Sequence, residues 1–234
     1  MNWDDDAIVL AVRRHGESGV IASLLTATHG RHSGLVRGGA GKAKRGVLQP
    51  GNAVRAAWKA RLAEHLGLLS CELIHPHAAA AMDDATRLAC LASACAVAEA
   101  ALPERQPHPA AYAGLAALLE SLPGEAWPSI YVHWELAVLR ELGFGLDLGR
   151  CAATGVSDGL AFVSPKTGRA VSASAGEPWR DKLLKLPAFL VTGGVGGASE
   201  VVEGLALTGF FLEKNAFDKP TPPARTRFVD RLRA

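Results

Sequence analysis

The alternation of apolar and polar positions changes period about a third of the way along the chain, and the change divides it in two. Residues 7–77 read as short β-type runs. Ala7 to Arg14 is β-rich and closes at the turn-forming His15-Gly16-Glu17-Ser18-Gly19; Val20 to Ala27 is a second run, closed by His29-Gly30. Arg31 to Arg37 alternates, with Leu35 and Arg37 on one face and Val36 on the other. The clearest alternation runs from Ala53 to Leu62. There Val54, Ala56, Trp58, Ala60 and Leu62 share one face, and Arg55, Lys59 and Arg61 the opposite one. A fifth run, Gly67 to Ile74, ends at His75-Pro76-His77. Five short strands with regularly spaced turns predict a small barrel over residues 1–80. The oligonucleotide-binding (OB) barrel is the five-stranded form, and an SH3-like barrel gives a similar pattern.

From Asp83 the period becomes helical. Asp83-Asp84 offers an N-cap for Ala85 to Leu102, with Leu88, Leu91 and Cys95 at helical spacing. Pro103 to Pro109 breaks this helix, and Ala110 to Leu122 is the next, with Tyr112, Leu115, Leu118, Leu119 and Leu122 as its stripe. A third begins near Pro128, carries Ile130, Tyr131, Trp134, Val138 and Leu142, and stops at Gly143. Residues 145–180 lose the helical period and read as an irregular or hairpin insert. Helix is expected again from Asp181, interrupted at Gly193 to Gly197, resumed over Ser199 to Phe217, and followed by a basic turn or helix, Arg225 to Arg233. The expected class is therefore α+β: a five-stranded OB-type barrel (1–80), then an α-helical domain (81–234).

Composition narrows the classes. The longest apolar run, Leu88 to Leu102, is mostly alanine and contains Glu99, which is no membrane span. The acidic start, Asp4-Asp5-Asp6, is not a secretory signal and is expected to be a frayed, solvated terminus. Cys71, Cys90, Cys95 and Cys151 show no paired spacing, as expected of reduced, mostly buried thiols in a cytoplasmic protein.

No catalytic constellation emerges, and a non-enzymatic protein without cofactor is expected. Gly41-Lys42 is not a phosphate loop, because Val36 stands where its first glycine is required and Ala43 where the magnesium ligand belongs. Thr192 to Ser199 is a broken dinucleotide pattern, better read as a turn between helices. His29 with His32, and His75 with His77, lack partners at metal-ligand spacing and read as turn histidines.

Charge supplies the positive signal. The net charge is only +2, yet Arg31, Arg37, Lys42, Lys44, Arg45, Arg55, Lys59 and Arg61 fall in one stretch, with no acid between Glu17 and Glu64. Such a concentration marks a polyanion-binding surface. Arg55, Lys59 and Arg61 are expected to be fixed on a strand face, and Lys42, Lys44 and Arg45 to ride a mobile glycine-rich loop. Trp3 and Trp58 are the only Phe, Trp or Tyr residues in the first 80, and Trp58 alternates inward. Contacts led by phosphates rather than by stacked bases are expected, on single strands and duplex alike.

The chain resembles the bacterial DNA repair protein RecO family. The resemblance rests on Gly30-Arg31, Val36-Arg37-Gly38-Gly39, the basic loop, Leu48-Gln49-Pro50-Gly51 and Glu64. It continues through Trp134-Glu135-Leu136, Leu139, Leu142-Gly143-Phe144, Leu148 and Cys151, and ends with Leu207 to Leu212. It implies an OB barrel with a helical domain and a non-catalytic role: binding single- and double-stranded DNA and annealing strands. It also implies that such a protein, with RecR, helps load RecA onto strands coated by single-strand-binding protein (SSB), whose acidic C-terminal tail it binds. Many such proteins carry two Cys-x-x-Cys pairs holding zinc. Here only Cys151 survives, with Thr154 in the partner position and no cysteine in Val171 to Ala175, so no metal is expected.

Overall fold

The computed structural model describes residues 1–62 and 64–234. Five strands, β1 (Asn2–His15), β2 (Gly19–Thr26), β3 (Gly30–Val36), β4 (Ala53–Lys59) and β5 (Leu68–His75), close a barrel in the order β1-β2-β3-β5-β4; α1 (Lys42–Val47) joins β3 to β4. All pairings are antiparallel except β3 with β5, which meet in parallel at Leu35 and Leu68. This is the OB arrangement. The acidic start is not frayed: Asp4, Asp5 and Asp6 lie within β1 and pair with Ala57, Ala56 and Arg55 of β4. Arg61 and Leu62 lie past the end of β4, and Leu62 is exposed.

β1 explains its unbroken apolar run by burying both faces. Ala7 and Val9 enter the barrel core with Val20, Ala22, Leu24, Val36, Val54, Ala56, Trp58 and Leu69. Ile8 and Leu10 point the other way, into the core of the helical domain with Leu25 of β2. A bulge leaves Leu10 without a partner on β2, next to Val9, which stays opposite Leu24. The Val9 amide donates to Asn52 O (3.0 Å), and its carbonyl accepts from Gly51 N (2.8 Å) and from the Cys95 thiol. Gly51 has a φ of +88°, and a Cβ there would come within 2.6 Å of the Leu91 side chain, so only glycine lets this turn seat on the helix beneath.

The helices begin with α2 (His77–Ala80), α3 (Ala85–Ala101), α4 (Pro109–Ser121) and α5 (Trp127–Glu141). Asp84 caps α3 by accepting from Thr86 N and Arg87 N. Leu88 is largely exposed, and Cys90, Leu91, Ala94, Cys95, Val97 and Ala98 form the buried stripe. Of the two readings of the insert the hairpin holds, and a third strand joins it. β6 (Leu160–Val163) is the centre of a three-stranded sheet, flanked by β7 (Ala170–Ser172) and, after α6 (Ala173–Gly176), by β8 (Leu184–Lys185). An α-helix does not return at Asp181, which lies in a short 3-10 helix (Glu177–Lys182); α7 (Phe189–Thr192) is one turn only. The long helices α8 (Ala198–Asn215) and α9 (Pro223–Arg233) complete the domain.

One buried ion pair ties α5, α8 and α9 together. Arg225 Nε donates to Glu135 Oε1 at 2.7 Å and a terminal nitrogen donates to Oε2 at 2.9 Å; Thr208 Oγ1 also donates to Oε2. The same guanidinium reaches Leu205 O (2.8 Å), so both charges are met by several partners. Arg225→Ala leaves Glu135 buried without a cation and should destabilise the protein by about 3–5 kcal/mol in urea unfolding.

Buried His77 shapes the acid response. Burial lowers His77 to about 4, helped by neighbouring His75, and burial also lowers His32 and His133. An unfolded histidine takes up a proton near 6.5, whereas these folded rings refuse it until lower pH. The contribution of His77 is thus fully present above pH ~6.5 and lost as pH falls through about 4. The urea midpoint should drop across that window, and His77→Gln should flatten the drop.

Candidate nucleic-acid interface

The site begins at the end of β3. Gly39 to Gly41 turn the chain, and residues 42–47 wind into α1 rather than a mobile loop. Two of its basic side chains are tethered to the preceding turn: Lys44 Nζ donates to Arg37 O at 2.8 Å, and Arg45 donates to Ala40 O at 3.3 Å. At the end of α1, Asn52 Nδ2 donates to Gly46 O and Val47 O, while its Oδ1 accepts from Ala78 N. The amino end of α2 is thereby locked to α1.

α1 sends adjacent cations to opposite sides. On one side a cleft of about 440 Å³ gathers Arg37, Lys44 and Lys59 over β3, β4 and β5, with Asp4 at its edge. Lys44 lies near Cys71; burial pushes that thiol up to about 12 despite the cation. On the other side a cleft of about 240 Å³ brings Arg45 beside Arg14, between Val12, Val20 and the Gln49-Pro50 turn. Arg14 was missed in the sequence because it sits one strand away, although the Arg13-Arg14 pair before a hairpin turn was a readable signal. Lys42 is exposed on α1 and Arg61 is exposed beyond β4. Among the described residues no carboxylate lies within 4 Å of Arg14, Arg37, Lys42, Lys44, Arg45, Lys59 or Arg61.

Two of the eight basic residues are engaged elsewhere. Arg31 is a domain clamp: its Nε donates to Leu102 O (2.7 Å), and a terminal nitrogen pairs with Glu104 (3.3 Å) and Glu99 (3.4 Å). Ser23 and Ser33 donate to the same two carboxylates, and Arg105 N donates to Arg31 O. Arg55 stands opposite Asp6 across the β1–β4 ladder and pairs with it at 2.7 Å. Asp6 raises the arginine's pKa further, through the hydrogen bond and its charge. The acid-free window in the sequence hid this, because the neutralising acids arrive from β1.

The barrel offers no open aromatic platform. Trp58 is buried and its indole N–H donates to Leu66 O, while Trp3 stacks on His29 (4.6 Å) and on Trp58 (5.8 Å). His32 is not a turn residue but lies in β3, edge-on to both indoles.

The insert does not fit zinc. Cys151 Sγ accepts from Ser172 N (3.2 Å) and lies 3.5 Å from Ser172 Oγ, and β7 with α6 occupies Ala170 to Gly176. Among the described residues, no group of three or more His, Cys, Asp or Glu converges as a metal site would require. All four cysteines are free, three of them buried. No helix among the described residues is long and apolar enough to cross a membrane.

Fold and site together define an OB-type barrel with basic clefts, welded to a helical domain. The family models for Recombination protein O match this division, the N-terminal model over residues 1–77 and the C-terminal model over 82–221. The chain is 58% identical to the DNA repair protein RecO of Rhodospirillum centenum, covering 100% of this chain and 95% of that one. Identity is 51% to the DNA repair protein RecO of Rhodospirillum rubrum (100% and 97% covered) and 50% to that of Phenylobacterium zucineum (99% and 98%). The chain belongs to the RecO family of DNA repair proteins.

If Asp6 masks Arg55, Asp6→Asn should strengthen binding to DNA at low salt, by about two- to five-fold as for an exposed pair. Fluorescence anisotropy with a labelled oligonucleotide measures it, and the gain should shrink as salt is raised.

Proposed function

We propose that the chain is a non-catalytic recombination mediator that binds single- and double-stranded DNA through phosphate contacts and anneals complementary strands. With RecR, it helps load RecA onto SSB-coated single strands. Its working surface is Arg37, Lys42, Lys44, Arg45, Lys59 and Arg61, joined by Arg14, with Arg31 and Arg55 withdrawn into ion pairs. The observation that carries this reading is the placement of two basic clefts on either side of α1. Two strands repel each other as polyanions; cations on both sides of a short helix lower that cost and leave the bases free to test register. No step needs a catalytic group. Such work belongs in the cytoplasm, at the nucleoid.

A second reading, an adaptor for the acidic SSB tail with incidental DNA contact, is favoured by one feature of the helical domain. A cleft of about 730 Å³ between α5, the insert and α7 sets Leu136, Leu146, Leu148 and Leu190 beside Arg140. An apolar floor with a cation at its edge suits a peptide that is both acidic and apolar.

Replacing Lys42, Lys44 and Arg45 together by Glu separates the readings. Single-strand and duplex affinity should fall alike, the slope of log affinity against log salt, roughly −3 to −5 in the unmodified protein, should become shallower, and annealing should be lost. Affinity for an acidic SSB-tail peptide should be unchanged. Annealing of SSB-coated strands that survives this triple change would leave the adaptor as the better account.

A further inference from the structure

A second arrangement of cations lies on the helical domain, away from the barrel and beside the Arg140 cleft. Past α5, Gly143 takes a φ of +85° and turns the chain back, so that Phe144 N donates to Leu139 O at 2.8 Å. The Phe144 side chain is left outside, with the residue 42% exposed. The tip of the β6–β7 hairpin abuts this turn: Asp147 N donates to Gly168 O, and Ala170 N donates to Asp147 O. The last turn of α8 closes the third side. There Lys214 Nζ donates to Pro165 O at 2.7 Å and stands 5.9 Å from the ring centre of Phe210, itself 37% exposed. Together they bound a cleft of about 250 Å³ lined by Phe144, Lys166, Thr167 and Lys214. Of the nearby acids, Asp147 is paired with Arg169 and the charge of Glu213 acts on Arg225.

Three elements locked by hydrogen bonds thus present two lysines and the exposed Phe144 ring in one cleft, and Lys214 also reaches the exposed Phe210 ring beside it. The cations select a polyanion, and the rings select flat apolar faces. Single-stranded nucleic acid offers both at once, whereas a duplex hides its bases in the stack. We propose that this cleft is a second nucleic-acid contact, selective for single strands: Lys166 and Lys214 hold phosphates while Phe144 in the cleft, and Phe210 beside Lys214 at its margin, stack unpaired bases. It supplies the stacking that the barrel lacks, and it stands whether or not the barrel clefts bind as described above.

The full-length chain tests it, with Phe144→Ala/Phe210→Ala and Lys166→Glu/Lys214→Glu titrated against a labelled single strand and a duplex of equal length. The phenylalanine pair should lose about five-fold or more in single-strand affinity, the scale of one stacked base, with duplex affinity unchanged. The lysine pair should lower single-strand affinity and flatten its salt dependence. In the unmodified protein, a strand carrying 5-iodouracil should photo-crosslink to the peptide containing Phe144, a readout that no folding defect can mimic. Failure of the barrel reading would show separately, as intact DNA affinity in the α1 triple variant. Unchanged single-strand affinity in both pairs, an equal loss for duplex, or loss of acidic-peptide binding alone would overturn the proposal.

Discussion

The strand β1 is buried on both faces, and the rest of the molecule depends on it. One row of its side chains, Ala7 and Val9, fills the barrel, and the alternate row, Ile8 and Leu10, is core for the helices. A strand used in this way cannot slide by one residue without turning each row into the wrong core. Beside its bulge, the Val9 backbone is held by Gly51, Asn52 and Cys95 of α3. Barrel and helices are therefore one packed body, and the Arg31 clamp to Leu102, Glu99 and Glu104 seals the same seam from β3.

The same strand organises the charge. Its register with β4 sets Asp6 against Arg55 and Asn2 against Lys59, so one cation is masked and the other left bare. What stays open is the rim around α1, where Lys44 and Arg45, adjacent in sequence, diverge into two clefts. Their tethers to Arg37 O and Ala40 O hold these side chains near the barrel surface. A phosphate meeting this rim encounters charges that are already placed, which lowers the ordering entropy lost on binding.

Much of this was legible in advance. The period-2 face of Val54, Ala56 and Trp58, the Asp84 cap and the glycine stop at Gly143 reported local physics that tertiary structure left intact. Several misreadings concerned a residue whose partner is distant in sequence. Asp4 to Asp6 looked solvated until β4 paired with them. Arg31 looked free until α3 delivered Glu99 and the loop after it Glu104. Arg14 looked incidental until α1 folded beside it. Residues 42–47 looked like a mobile loop because glycine and lysine dominate; local hydrogen bonds, such as Arg45 N to Gly41 O and Leu48 N to Lys44 O, wind them into a helix.

The sequence by itself determined that a β-barrel precedes a helical domain, where most strands and long helices run, and that positive charge gathers between β3 and β4. Those properties follow from side-chain period, caps and composition, which act over a few residues. Only the tertiary structure decided which cations remain available, that they divide into two clefts, and that Phe144, Lys166 and Lys214 line one cleft. Coulomb attraction depends on separation in space rather than along the chain, and only strand register and helix packing set those separations.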